Sequence, residues 1–348
     1  MPVGNNQRAP ALWGWPTFAS IGLAILILGF AASMVDLNAV GREVANCEKR
    51  YVLLGALFHY ATYLMRGMRW RRSLSHFPIS AGNGKFAILV FFYNFADNLV
   101  PAKLGDIYAA HLARINCKIR RSAALGSLVF LRMIDAWAVL SLATLASWVL
   151  FAARSPRSVF WALIGGGMLA VGTTSVMVVF YLFKKSLPAW LPQKIQAMIR
   201  SFQEGMWPRT QQFIPIAALT AAIWIFETLW IYFLTLAFDL ELGAAQVIFL
   251  TMIPLLASAF PFTPSGAGIV EITLYSCLKV LGIAASPAAS LTLVNRFMDY
   301  WLHIGLGVLA WALRHILGFR TWRDISPLEF NSEHSTDITG GHGVVHDN

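Results

Sequence analysis

The apolar sequence from Phe86 to Leu112 is broken in its middle by Asn98-Leu99-Val100-Pro101-Ala102-Lys103-Leu104-Gly105-Asp106. Proline removes a backbone donor and clashes with the turn before it, and glycine costs a helix about 1 kcal/mol relative to alanine. A helix is therefore expected to end there, leaving two arms each short of the ~20 residues that cross a hydrocarbon core. The expected shape is a re-entrant hairpin. A second break of the same kind, Pro264-Ser265-Gly266-Ala267-Gly268-Ile269-Val270-Glu271, interrupts the apolar stretch Ala244 to Leu281. Each break is followed in turn by an Arg-x-x-Asp, first Arg132 with Asp135 and then Arg296 with Asp299.

The sequence around these breaks reads as hydrocarbon-facing. Of 348 residues 57% are hydrophobic and 13% charged, about half the charge of a soluble domain. Uninterrupted runs of spanning length cover Pro16 to Val35, Tyr51 to Met68, Ala123 to Ala152, Val159 to Phe183, Phe213 to Phe238 and Pro287 to Trp311. The fold class expected is an all-α polytopic membrane protein, with about six full transmembrane helices and two broken hairpins. The first run is read as a retained helix, because Val35-Asp36-Leu37 is a poor cleavage site. Cys47, Cys117 and Cys277 are too widely spaced for a disulfide framework or a metal site. No metal and no cofactor is expected.

The net charge of +10 is read as topology rather than nucleic-acid binding. If both hairpins return to their starting face and the N-terminus is cytoplasmic, eighteen Lys and Arg lie on the cytoplasmic face and six on the other. Lys103, Arg132 and Arg296 then remain in the membrane. The basic run Arg66-Gly67-Met68-Arg69-Trp70-Arg71-Arg72 is the strongest marker of that face, and both termini are placed there. The segment from Leu187 to Gln212 alternates apolar and charged residues in the manner of a helix lying on the membrane surface.

Pro101 and Pro264 are 163 positions apart, and Arg132 and Arg296 are 164 apart. The chain thus divides into an N-terminus (1–15), a first membrane repeat (16–158), a second (159–318, with an amphipathic linker at 184–213) and a disordered polar tail (319–348). Each half holds three crossings and one hairpin, and an odd count inverts the second half relative to the first. Transporters of that layout bind substrate near the midplane, at broken helices. Two readings of the Arg-x-x-Asp pairs stay open: spaced i,i+3 on one face, they neutralise each other, or the arginines bind an anionic headgroup. Asn98 and Lys103 join that candidate site. Pro101, Gly105, Asp106, Pro264, Gly266, Gly268 and Glu271 form the breaks, with Asp106 and Glu271 as gates, proton carriers or helix caps. Glu227, an acid inside a spanning run, is a candidate for ion coupling.

These motifs, Asn98 to Asp106, Arg132/Asp135, Pro264 to Glu271 and Arg296/Asp299, in this order, resemble the transmembrane flippase region of lysylphosphatidylglycerol synthases, also found as stand-alone membrane proteins. The resemblance runs from about Tyr51 to Leu317. It implies a bacterial inner-membrane protein that moves an anionic or lipid-linked headgroup between leaflets, with membrane lipids as partners and no nucleic acid. Two-part members carry a soluble aminoacyl-transfer domain after the membrane region, so a chain ending at Asn348 is expected not to make the lipid itself. A separate lipid synthase and self-association are partners left open. An integral-membrane lipid or polyprenyl-phosphate transferase, and a scaffold for a separate synthase, are the rival functions. No P-loop is present to use ATP.

Overall fold

The computed structural model describes residues 36–79, 81–99, 105–152, 156–182, 190–258 and 266–320. Within them the regular structure is helical throughout. The elements are α1 (Leu37–Asn46), α2 (Lys49–Ser73), α3 (Asn83–Leu99), α4 (Gly105–Cys117), α5 (Arg121–Phe151), α6 (Arg157–Leu182), α7 (Gln193–Met206) and α8 (Phe213–Ala237). There follow α9 (Ala244–Ala257), α10 (Ile269–Val280), α11 (Ala285–Arg296), a π-helical turn (Phe297–Trp301) and α12 (Leu302–Ala312). The expected first span, Pro101, Lys103, Pro264 and the tail from 321 lie outside the described residues.

Among the described residues three helices are long and apolar enough to cross a membrane by length and composition: α5, α6 and α8 with the turn before it. Their outer faces carry Trp148, Trp161, Met168, Leu182, Ile214 and Ile225 in the open. So much exposed large apolar surface is tolerable only against lipid, and the chain is a multi-pass membrane protein. Helix α2 falls short of the apolar criterion for a physical reason. One face of it is turned into the protein, with His59, Thr62 and Arg69 buried, while Leu53, Leu57 and Leu64 stay exposed on the other; the polar side chains survive on the inner face because other helices answer them.

The two broken stretches form hairpins as expected. Arms α3 and α4 pack on each other, as do α9 and α10. At 1.5 Å per residue the arms measure about 18 to 26 Å, each below a ~30 Å core. The repeat is visible in helix starts: α4 begins at Gly105 and the N-cap of α10 is Gly268, while α5 begins at Arg121 and α11 at Ala285. Arg132 and Arg296 are consequently each the twelfth residue of their helix, because both helices start two residues before the apolar runs do.

The centre of the fold is the packing of α2 on its repeat mate α8. The Glu48 amide donates to the carbonyl of Ala237 at one end, Gly55 abuts Trp230, Phe58 stacks on Phe233, and Arg69 reaches Thr220 at the other end. Contacts that descend one helix as they climb the other make the pair antiparallel, the relation an inverted repeat requires. The halves also trade elements. Helix α1 of the first half packs on α11 of the second, and α7 of the second packs on α5 of the first.

Helix α7 is amphipathic, as the linker pattern predicts. Trp190, just before it, and Ile195 and Met198 within it stay exposed, while Ser201, Gly205 and Met206 face the protein. Its contact with α5 is backbone on backbone. A Cβ on Gly205 would strike the carbonyl of Ala123, and one on Gly126 the carbonyl of Phe202. Gly205→Val is therefore expected to destabilise the protein by about 1–3 kcal/mol or more, read as a lower unfolding midpoint in detergent. An unchanged midpoint would show that the crossing is not close-packed.

Candidate functional site

The breaks deliver carboxylates to the intramembrane arginines. In the first half, Arg132 Nη2 lies 3.0 Å from Asp106 Oδ1 and 3.8 Å from Asp97 Oδ2. Asp97, on the last turn of α3, also accepts the Gly105 amide at 2.8 Å through Oδ1, so it ties the second arm to the first. Gly105 is needed for this approach, since a Cβ there would collide with the Asp97 carboxylate. In the second half, Arg296 Nε lies 2.7 Å from Glu271 Oε1, and Glu271 Oε2 accepts the Gly268 amide at 2.8 Å. Gly268 holds φ +86° and Gly266 φ +67°, backbone that favours glycine. Of the three sequence readings of Glu271, gate, proton carrier or helix cap, the contact with the Gly268 amide is the cap, and the pairing of the same side chain with Arg296 is an addition that the sequence did not announce.

The aspartates of the two Arg-x-x-Asp motifs do not pair with their own arginines. Asp135 takes a two-point contact from Arg69 of α2, at 2.6 and 2.7 Å, and Arg69 also donates to Thr220 of α8 at 2.9 Å. Asp299 faces His59 of α2, its Oδ1 3.5 Å from Nε2. The reason is geometric. An i,i+3 pair shares a face but must bend two side chains together, whereas α2 presents a guanidinium and an imidazole head-on from a neighbouring helix. Self-neutralisation is thereby replaced by cross-linking of α2, α5, α8 and the π turn.

Glu227 lies in the same layer. Arg66 Nη2 is 3.0 Å from its Oε1, His59 Nδ1 is 3.0 Å from its Oε2, and Thr62 Oγ1 is 3.3 Å away. Arg66 and Arg69, taken from sequence as markers of the cytoplasmic face, are thus inward-facing partners of Glu227 and Asp135. Removing them from the count leaves the charge bias standing. The signal was present: His59, Thr62, Arg66 and Arg69 fall three or four residues apart, a polar stripe on one side of an apolar helix. Asp97 carried no such signal, because its role depends on where the chain turns back.

The two halves of the site touch. Arg296 lies over the Tyr300 ring, 4.1 Å from its centroid. The Tyr300 hydroxyl donates to the Asn98 carbonyl at 3.0 Å, and Asn98 adjoins Asp97, the partner of Arg132. A continuous path therefore runs from Arg296 to Arg132 through the end of α3. Accessibility differs sharply along it: the Arg132 side chain is 42% exposed and that of Arg296 5%. The described residues hold no cluster of three or more His, Cys, Asp or Glu able to bind a metal.

A family profile for the lysylphosphatidylglycerol synthase TM region matches residues 17–307, most of the chain and both hairpins. The protein belongs to this family. A UPF0104 membrane protein of Methanocaldococcus jannaschii is 27% identical over 216 residues, covering 62% of this chain and 92% of its own. A second from that organism is 23% identical, covering 84% and 94%, and one from Pyrococcus horikoshii is 20% identical, covering 81% and 94%. The expectation drawn from the sequence motifs, membership of the lysylphosphatidylglycerol synthase membrane family, is met. In family terms the matched region contains α1 to α11 and most of α12, so the paired arginines and all their carboxylates lie inside it.

Proposed function

We propose that the protein moves an anionic phospholipid or lipid-linked headgroup across the bacterial inner membrane by alternating access, with both termini cytoplasmic. The observation that carries this reading is the unequal exposure of two equivalent arginines, Arg132 open and Arg296 closed. A carrier that exposes its site to one side at a time needs such a pair of states in one molecule. Each arginine is held by a carboxylate from a broken hairpin, so a phosphate must displace Asp106 or Glu271 to bind, and its binding loosens that hairpin. The hairpins then act as gates and the arginines as headgroup ligands. Asp135 and Asp299, paired with Arg69 and His59, tie the elements that carry these arginines to α2.

The test is leaflet exchange of labelled phosphatidylglycerol in reconstituted vesicles. Arg132→Ala is expected to lower the rate at least about tenfold, since one charge-assisted contact of about 1.5–3 kcal/mol is lost. Arg132→Lys should recover part of it. Exchange at the parental rate in an Arg132→Ala, Arg296→Ala protein that remains folded would remove the proposed site.

A further inference from the structure

Among the described residues, four carboxylates between the helices face a guanidinium: Asp106 faces Arg132, Glu271 faces Arg296, Asp135 faces Arg69 and Glu227 faces Arg66. Asp299 faces an imidazole instead. His59 is nearly enclosed, its side chain 7% exposed, and it bridges two carboxylates, with Nδ1 3.0 Å from Glu227 and Nε2 3.5 Å from Asp299. Glu227 pairs with Arg66 as a carboxylate and so can only accept. The hydrogen of Nδ1 is committed to it, a tautomer read from the network of contacts. Nε2 would then turn a lone pair toward the Asp299 carboxylate. Two acceptors at that separation repel, and one proton between them, carried by either atom, turns the repulsion into a hydrogen bond.

Charge leads to the same place. Arg66, Glu227 and Asp299 sum to minus one, and a single bound proton brings the group to zero. A charge set against the enclosed His59 and Glu227 is unfavourable unless it is balanced. The other titratable groups around the pair are Tyr60 and Tyr63 of α2 and His303 of α12, with the Trp230 ring of α8 completing the wall. His303 is fully buried and directs Nε2 to the Phe91 carbonyl at 3.3 Å. None of these supplies a further charge to balance Asp299.

Resting on the lipid-transport reading above, we propose that the His59 and Asp299 pair is a proton-binding site whose loading and unloading is coupled to movement of the headgroup. Asp299 is 38% exposed while His59 is enclosed, so a proton enters at the carboxylate and is held against the imidazole. The site is mechanically connected to the arginine site. Asp299 and Tyr300 share the five-residue π turn, Tyr300 lies under Arg296 and bonds Asn98 of the other hairpin, and the Tyr60 hydroxyl pins the same turn through the Met298 carbonyl at 3.0 Å. A π turn is one hydrogen-bond slip from regular α-helix, a change that rotates the downstream helix by about 100°. Loss of the proton removes the bond holding Asp299 toward α2 and frees the turn to slip. One proton is taken up and one released per cycle, with no covalent change.

The experiment uses the full chain in vesicles with a trapped pH-sensitive dye and labelled phosphatidylglycerol. An imposed pH gradient is expected to produce unequal label between leaflets together with proton entry, both abolished by a protonophore. Asp299→Asn and His59→Gln should each lose proton entry, and Asp299→Glu should restore it. To guard against unfolding of the turn in Asp299→Asn, the circular dichroism midpoint of each variant is measured alongside, and Asp299→Glu carries the inference if the amide variant is unstable. Label exchange that ignores the gradient, with no proton entry, overturns the proton site and leaves lipid transport standing. Absence of label exchange with proton entry that depends on His59 supports the site and overturns the lipid reading. Proton entry retained in both Asp299→Asn and His59→Gln overturns the site.

Discussion

Replacing Asp135 with alanine is expected to destabilise the protein by about 3–5 kcal/mol, the cost of leaving a buried guanidinium without its counter-charge. Arg69 is buried and gives Asp135 two short contacts and Thr220 a third, so one side chain joins α2, α5 and α8. With the carboxylate gone, Thr220 alone cannot neutralise the charge, and the helices separate or admit water. Asp135→Asn keeps the shape and still loses the charge, so it should fall close behind. Replacing both partners, as Arg69→Leu with Asp135→Leu, should recover most of the loss, since apolar pairs of similar volume often substitute for buried ion pairs at little cost. The measurement is the unfolding midpoint in detergent with the double-mutant cycle completed. An Asp135→Ala protein within about 0.5 kcal/mol of the parent would contradict the cross-link. This outcome separates two roles for the aspartate: a residue that only orients a headgroup would change transport and leave the midpoint alone.

The broken hairpins were legible in the sequence because proline and glycine act locally: a proline that clashes with the turn before it, as Pro101 and Pro264 would, needs no distant contact to stop a helix. The repeat was legible for the same reason, since matched breaks and matched arginines fix a register that the helix starts at Gly105, Arg121 and Ala285 then follow. Partner choice was not. Whether Asp135 meets Arg132 or Arg69 depends on how α2 is rotated against α5, and one turn of spacing permits either. Arg66 and Arg69 were misplaced because a basic cluster at the end of an apolar run usually marks the membrane face. The cluster in fact divides, Arg69 turning inward and Arg72 outward, within a single turn. The π turn was illegible, since Phe297 to Trp301 carries no proline or glycine; packing alone opens it.

The inverted layout makes the hairpins comparable, and they differ in how each holds its arginine. Asp106 sits in the first turn of α4 and Glu271 in the first turn of α10, so both also favour the positive end of their helix. Asp106 shares its arginine with Asp97 on the opposite arm, whereas Glu271 combines both roles, binding Arg296 with one oxygen and the Gly268 amide with the other. The first hairpin is therefore closed by two carboxylates around a half-open arginine. Among the described residues, the second is closed by the Glu271 carboxylate around an enclosed one.

That contrast predicts unequal losses on removing the two acids. Glu271→Ala is expected to cost about 3–5 kcal/mol, because it takes the carboxylate away from the enclosed Arg296 charge and uncaps α10 at once. Glu271→Gln should be milder, since the amide oxygen can still accept from Gly268 although Arg296 loses the negative charge facing it. Asp106→Asn should cost only about 1 kcal/mol: Arg132 is 42% exposed and keeps Asp97 within 3.8 Å. Function is expected to rank differently from stability. Freed from Asp106, Arg132 is easier for a phosphate to reach, so Asp106→Asn should bind phosphatidylglycerol more tightly yet move it more slowly, the gate having lost the group that must re-form to release cargo. Unfolding midpoints, lipid binding by native mass spectrometry and leaflet exchange on the three variants read this directly. Equal destabilisation by Asp106→Asn and Glu271→Ala would show that the hairpins are equally sealed, and the alternating-access reading would lose the asymmetry on which it rests.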